Sequence, residues 1–214
     1  MQRYNFLVVG AGIAGASIAY ELSRNARVCL IEGESRPGLH TTGRSAALFA
    51  PTYGGREFRA ITRASRFFFD HPPEGFCEHP LLQPRGCLYI AREDQIERLG
   101  QMLDTIRASG GQVNPVDKKD ALAQVPLLRE SYLAQAAMDA DAMDIDVEAL
   151  SQGFLRGARA AGARLATNSW VTKVQRQDGL WTVELNDGTV SAPVLVNTAG
   201  AWADEVAATC GARP

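Results

Sequence analysis

The chain has 214 residues, is 46% apolar and 21% charged, and carries a formal net charge of −2 at pH 7. That length buries a sizeable core as one large domain or two small ones, and the composition is globular, which excludes a disordered chain. A slightly acidic balance with scattered Lys and Arg gives nucleic acid no electrostatic reason to bind, and the spacing of Arg156, Arg159 and Arg164 reads as the solvated face of a helix and its exit.

In chain order, Phe6, Leu7, Val8 and Val9 form a short buried strand that opens onto GAGIAG at 10–15. Gly10 permits the tight turn, Gly12 lets backbone approach a pyrophosphate, and Gly15 lets the following helix pack close to the strand. That helix spans 13–23, and its positive end meets the phosphates. A second strand over 27–31 then delivers Glu32, seventeen residues beyond Gly15 and near the expected spacing of about twenty. A carboxylate there accepts hydrogen bonds from a ribose diol and repels a 2′-phosphate, so an NADP-type nucleotide is disfavoured. Strand, glycines, helix, strand and acid in that order predict a bound dinucleotide, the alternative being a purely steric glycine turn.

Residues 33–54 read as a long loop with Gly38, Gly43 and Gly54, and loops of this length inside compact domains are usually functional. An amphipathic helix is expected over 56–70 from Phe58, Ile61, Phe68 and Phe69, ended by His71-Pro72-Pro73. Residues 71–140 look like a different region, with a strand at 87–91, a helix over 94–108 and a short helix from Lys118 that stops before Pro126. Asp146 is then an N-cap, with Val147, Leu150, Phe154, Ala158 and Ala161 at helical spacing up to Gly162. Strands through Leu165 and over 170–174, a hairpin turning at Asn186-Asp187-Gly188, a buried strand at 194–197 and a helix after Trp202 complete the chain.

Cys29, Cys77, Cys87 and Cys210 form no CxxC pair and read as reduced thiols. With His40, His71 and His79 they show no metal-like spacing, and FCEH at 76–79 has no second cluster to complete a zinc site, so no metal is expected. The apolar stretch 6–20 has no basic leader or cleavage site, and no run reaches the roughly 18 residues of a membrane span. A cytoplasmic protein is the expectation.

Three segments together resemble the FAD-dependent D-amino acid oxidase and dehydrogenase family: GAGIAG at 10–15, HTTGRSAA at 40–47 and VLVNTAGAWAD at 194–204. The spelling ASRFFFDHPPEGFCEHPLLQPR at 64–85 is similar to the bacterial D-arginine dehydrogenase branch. The resemblance covers essentially the whole chain and matches the N-terminal part of a longer family polypeptide. It implies an α/β, Rossmann-like FAD/NAD(P)-binding domain formed by 1–70 and 141–214. An α+β substrate-side region is inserted at 71–140, and the C-terminal part of the family fold is absent.

Carried over residue by residue, the resemblance places Gly10, Ala11, Gly12, Ile13, Ala14 and Gly15 on the pyrophosphate, with Ile31 and Glu32 at the adenosine ribose. Thr41, Thr42, Gly43, Arg44, Ser45, Ala46, Ala47 and Leu48 would run along the pyrophosphate and ribityl chain towards the flavin. An Arg neutralises phosphate charge while hydroxyls and backbone N–H groups donate the remaining hydrogen bonds; the plainer reading of Arg44 is a surface side chain. Val171 matches a strand residue that meets the adenine, and Thr198, Ala199 and Gly200 match a turn where backbone passes close to the nucleotide. Trp202 would pack beside that turn or serve as ordinary core.

On the substrate side, Tyr53 matches a tyrosine on a mobile loop with Gly54 and Gly55 as hinges, the alternative being a half-exposed loop tyrosine. Leu48 and Cys87 stand where the arginine-preferring branch has a polar and an acidic residue, so a neutral or apolar substrate is expected. The implied reaction is oxidative deamination of a D-amino acid or related amine, by hydride transfer from Cα to flavin N5. The residues that hold the substrate carboxylate belong by the resemblance to the missing portion or a partner chain, so no catalytic residue is assigned and the chain alone is expected to be inactive. An unpaired sheet edge and exposed core predict self-association. A non-catalytic FAD-binding module, or one subunit of a split enzyme, is the competing reading, and an NAD-dependent dehydrogenase is a third.

Overall fold

The run Phe6–Val9 alternates its side chains between two apolar layers, which makes it a strand buried on both faces. The computed structural model describes residues 1–213, and they divide into two units. The first comprises residues 1–46, 73–79 and those from Val147 on; the second comprises 47–72 and 80–146.

In the first unit a parallel sheet runs in the order Arg164–Ala166, Val28–Ile31, Phe6–Val9, Val194–Asn197. Val8, Val28 and Leu30 face the helices Ile13–Ser23 and Val147–Ala160, where Ala16, Ala19, Leu155 and Ala158 close one core. Leu7, Cys29 and Ile31 face the other way, onto Val183 and Val190 of a second sheet ordered Gln2–Arg3, Gly188–Ala192, Leu180–Leu185, Val174–Gln177. The helices approach closely because their contact residues are small. A Cβ on Gly157 would run into the Tyr20 ring, and one on Gly153 into Phe76.

The second unit holds two antiparallel sheets of three strands. One runs Leu48–Phe49, Met143–Ile145, Leu82–Pro84; the other runs Cys87–Ala91, Gln135–Asp139, Asn114–Val116. Ala91 and Ala137 meet Leu99, Leu103 and Ile106 of the helix Ile96–Ala108. On the opposite face Ala136 meets Ala121 of the helix Lys118–Gln124.

Several expectations need correction. The strand expected at 170–174 is Val174–Gln177, because its hairpin with Leu180–Leu185 turns at Asp178-Gly179, both at positive φ, and that turn sets the register. The loop at 33–54 contains the short strand Leu48–Phe49, and the helix over 94–108 begins as a 3-10 turn, Glu93–Gln95. The helix Arg56–Asp70 has the expected bounds, but Phe58 and Ile61 are 71% and 66% exposed while Arg59 is 5% exposed. The stretch 47–72, read with the nucleotide-binding part, lies in the second unit. Among the described residues no helix is long and apolar enough to cross a membrane, and no group of three metal-ligating side chains occurs.

Candidate nucleotide site

The strand Phe6–Val9 ends in Gly10, whose φ of +97° only glycine adopts freely. A Cβ there would collide with the Thr198 carbonyl, and one on Gly15 would strike the Gly10 carbonyl and lie 2.8 Å from Thr198 Oγ1. The glycines therefore seat two backbone segments against each other. Thr198 completes the join, its single hydroxyl hydrogen shared between the carbonyls of Val9 at 2.8 Å and Gly10 at 3.0 Å.

Gly12 caps the helix Ile13–Ser23 without a side chain, and no acidic residue stands in the helix's own first turn. Thr42 Oγ1 accepts the Ile13 N–H at 3.0 Å, which ties the 38–46 turns to that end. Within those turns Gly43 N–H donates to Gly38 O at 2.8 Å, Arg44 N–H to His40 O at 3.1 Å, and Ser45 Oγ to Thr42 O at 3.0 Å.

Glu32 is held by the chain on both carboxylate oxygens, Oε2 accepting from Ala11 N–H at 2.9 Å and Oε1 from Glu34 N–H at 3.0 Å. An ionised carboxylate has about four acceptor positions, so two remain for a diol. Beyond it Glu34 Oε1 pairs with His40 Nε2 at 2.9 Å, and the His40 ring meets Trp202 edge-on at 4.6 Å. Trp202 meets Trp170 at 5.7 Å, and Trp170 lies so close to Gly33 that a Cβ there would be 2.7 Å from the indole.

These groups enclose a cavity of about 390 Å³ in the first unit. Of the residues read from the sequence, Gly10, Gly12, Ile31, Glu32, Thr41 and Thr42 line it from one side. Val171, Thr198, Ala199, Gly200 and Trp202 line it from the other. Ala11, Ile13, Ala14 and Gly15 are outside the lining. Gly43, Arg44, Ser45 and Ala46 are exposed and outside the lining, and Arg44 makes no ion pair among the described residues. Ala47 and Leu48 fall in the second unit, Ala47 at φ +47° with its carbonyl accepting from Ile145 N–H at 2.8 Å, and Leu48 paired with Asp144. Tyr53 and Cys87 also lie in that unit, Tyr53 74% exposed and Cys87 half-buried, with burial pushing its thiol up.

The sequence reading assigns no role to Gly33, Glu34 or Trp170, and His40 enters it as a weighed metal ligand and as the first residue of the HTTGRSAA segment. Trp170 was read as strand, and only the fold shows that it rests on a glycine 137 positions earlier. The cavity is acidic, since Glu32, Glu34 and Glu205 line it with His40 as the one basic side chain. A diphosphate there relies on backbone N–H groups and on a cation reaching in from outside.

Residues 5–214 match the family model described as FAD dependent oxidoreductase. The mitochondrial dimethylglycine dehydrogenase of Mus musculus is 24% identical over 207 residues, which are 95% of this chain and 24% of that protein. Glycine oxidase of Geobacillus kaustophilus is 25% identical over 221 residues, 98% of this chain and 58% of that one. The chain thus spans between a quarter and a little over half of these relatives. Its fold superposes on the crystal structure of the Geobacillus kaustophilus glycine oxidase with a TM-score of 0.86 at 24% identity, covering 99% of this chain and 59% of the other. For the dithionite-reduced L-alpha-glycerophosphate oxidase from Mycoplasma pneumoniae, with FAD bound, the TM-score is 0.83 at 20% identity, covering 98% and 57%. At these identities the structural likeness speaks for the fold alone.

Proposed function

The chain belongs to the FAD dependent oxidoreductase family, with FAD as its cofactor, and on that premise we propose that it takes part in the oxidative deamination of a neutral or apolar D-amino acid or related amine. The observation that carries this reading is the Gly10-Gly12-Gly15 cradle joined to Thr198, with Glu32 presenting two free acceptor positions into the same cavity. This donor set fits FAD. Gly12 brings no side chain of its own to the helix end, where a Cβ would lie 3.2 Å from Thr42 Oγ1, the hydroxyl that accepts the Ile13 N–H.

In this reading the helix end at Gly12 to Gly15 holds the pyrophosphate, and Glu32 and Ile31 the adenosine ribose. Arg44, which is exposed, supplies the cation that the cavity lacks, with Thr41, Thr42, Gly43, Ser45, Ala46, Ala47 and Leu48 extending the contact towards the flavin. Val171, Ala199, Gly200 and Trp202 bound the adenine side. FAD, when bound, supplies the hydride acceptor. The first unit binds and orients the cofactor, and Leu48, Tyr53 and Cys87 are the residues read on the substrate side; the carboxylates opposite them across the strands are already engaged, Asp139 by Thr52 and Asp141, and Asp144 by Arg85. A guanidinium substrate would be desolvated there without a partner, which favours a neutral side chain. No Arg–Tyr pair for the substrate carboxylate is assigned in these residues, and in this proposal that pair comes from the part of the family's length that they do not span.

The test is a visible spectrum of the purified chain with and without FAD, then dye reduction over a panel of D-amino acids. A flavin band is expected, with no turnover from the 214 residues alone. In a version spanning the family's whole length, D-leucine or D-methionine should turn over faster than D-arginine, and the reverse order overturns the substrate reading. Flavin binding with no turnover in any partner-supplemented or longer form would instead favour a non-catalytic FAD-binding subunit.

A further inference from the structure

The second unit contains a buried polar cluster that the reading above does not use. Thr52 donates its hydroxyl hydrogen to Asp139 Oδ2, and Tyr89 OH lies 3.1 Å from the same Thr52 oxygen. Asp139 Oδ1 accepts the Asp141 N–H at 3.0 Å. Thr52 and Asp139 are 3% and 0% exposed, and among the described residues no cation pairs with Asp139. A threonine hydroxyl has one hydrogen, so with Thr52 giving it to Asp139, Tyr89 donates into the remaining Thr52 lone pair. The bonds form one directed chain, Tyr89 to Thr52 to Asp139. The strand register explains its assembly, since Cys87 stands opposite Asp139 and Tyr89, two residues on, shares that face. The Thr52 methyl is also held: a Cβ on Gly111 would come 3.1 Å from it.

Directly after this fixed residue the chain becomes exposed and permissive. Tyr53 is 74% exposed, and its N–H donates to Ala50 O at 3.1 Å; Gly54 has φ +82°, and Gly55 caps the next helix. We propose that Asp139, acting through Thr52, is a positioning residue that pins one end of the Tyr53-Gly54-Gly55 turn, so that Tyr53 moves over an amine substrate about a fixed pivot. The proposal rests on the reading of Tyr53 as a substrate-side residue. A buried carboxylate without a cation depends on its donors, and among the described residues one of its two donors is the residue adjoining the tyrosine.

The test compares Thr52→Val, Thr52→Ser and Asp139→Asn with the parent protein. Amide hydrogen exchange is read on the protein without substrate. Thr52→Val should speed exchange of the Tyr53 amide roughly tenfold while the helix Ile96–Ala108 keeps its rates, and Thr52→Ser should restore the parent rate. Unchanged exchange at Tyr53 overturns the proposal, and so does acceleration spread evenly over the second unit, which marks a purely structural contact. If Thr52→Val does not fold, Asp139→Asn carries the same comparison, because it keeps the side-chain shape and weakens the acceptor. In an FAD-loaded version spanning the family's whole length, Thr52→Val should raise the KM for D-leucine with kcat little changed. A Tyr53→Ala protein with unchanged KM overturns the substrate half alone and leaves the exchange result to judge the anchor.

Discussion

Glu32 has a structural task as well as a ligand-facing one, because its carboxylate joins the glycine turn at Ala11 to the backbone at Glu34. Glu32→Gln would replace one acceptor oxygen by an amide that faces an N–H, so one part-buried hydrogen bond is lost and one donor is opposed. The expected cost is about 1–3 kcal/mol, seen both as a lower denaturation midpoint and as weaker FAD binding in a fluorescence titration. Gly15→Ala should abolish measurable FAD binding, since the new methyl enters the Gly10 carbonyl; retained affinity would show that the cradle does not hold the pyrophosphate. The spacing of Gly10, Gly12, Gly15 and Glu32 was legible because each answers a local demand of a strand-turn-helix unit. Trp170 and Gly33 were not, because their contact has no local signature: neither residue type is required by its own neighbours.

At the scale of elements, the helix Arg56–Asp70 shows where periodicity stops being informative. The pattern of Phe58, Ile61, Phe68 and Phe69 sets its existence and bounds, yet Phe58 and Ile61 are exposed while Phe68 and Phe69 are half-buried. Amphipathicity says that two faces differ, and only packing says which is covered. Replacing Phe58 or Ile61 by Ser should change unfolding free energy by no more than about 0.5 kcal/mol, whereas Leu7→Ala, in a fully buried strand, should cost about 2–5 kcal/mol in urea titrations. In the helix Ile96–Ala108, a Cβ on Gly100 meets nothing within 4 Å, so Gly100→Ala should stabilise by about 0.5–1 kcal/mol.

For the molecule as a whole, stability at high pH is governed in part by Cys29, fully buried between two sheets in the core of the first unit. Burial pushes its thiol up from 9.0 to about 11, so the folded state holds that proton more tightly than the unfolded chain does. The contribution is complete below about pH 9 and is lost as pH rises through about 11, a fall of roughly 2–3 kcal/mol. Urea midpoints at pH 8 and 10.5 should show the fall, and Cys29→Ala should remove that part of it. The sequence by itself determined the βαβ unit, the helix and strand bounds near it, and the acid that ends its second strand, because these follow from side-chain period, glycine sterics and short-range spacing. The tertiary structure alone decided that Trp170 rests on Gly33, that Thr52 is pinned by Asp139, and that the helix Arg56–Asp70 buries an arginine. Those outcomes depend on which distant segments the sheets bring side by side, and pairing between segments scores or hundreds of positions apart leaves no mark in the local pattern of either.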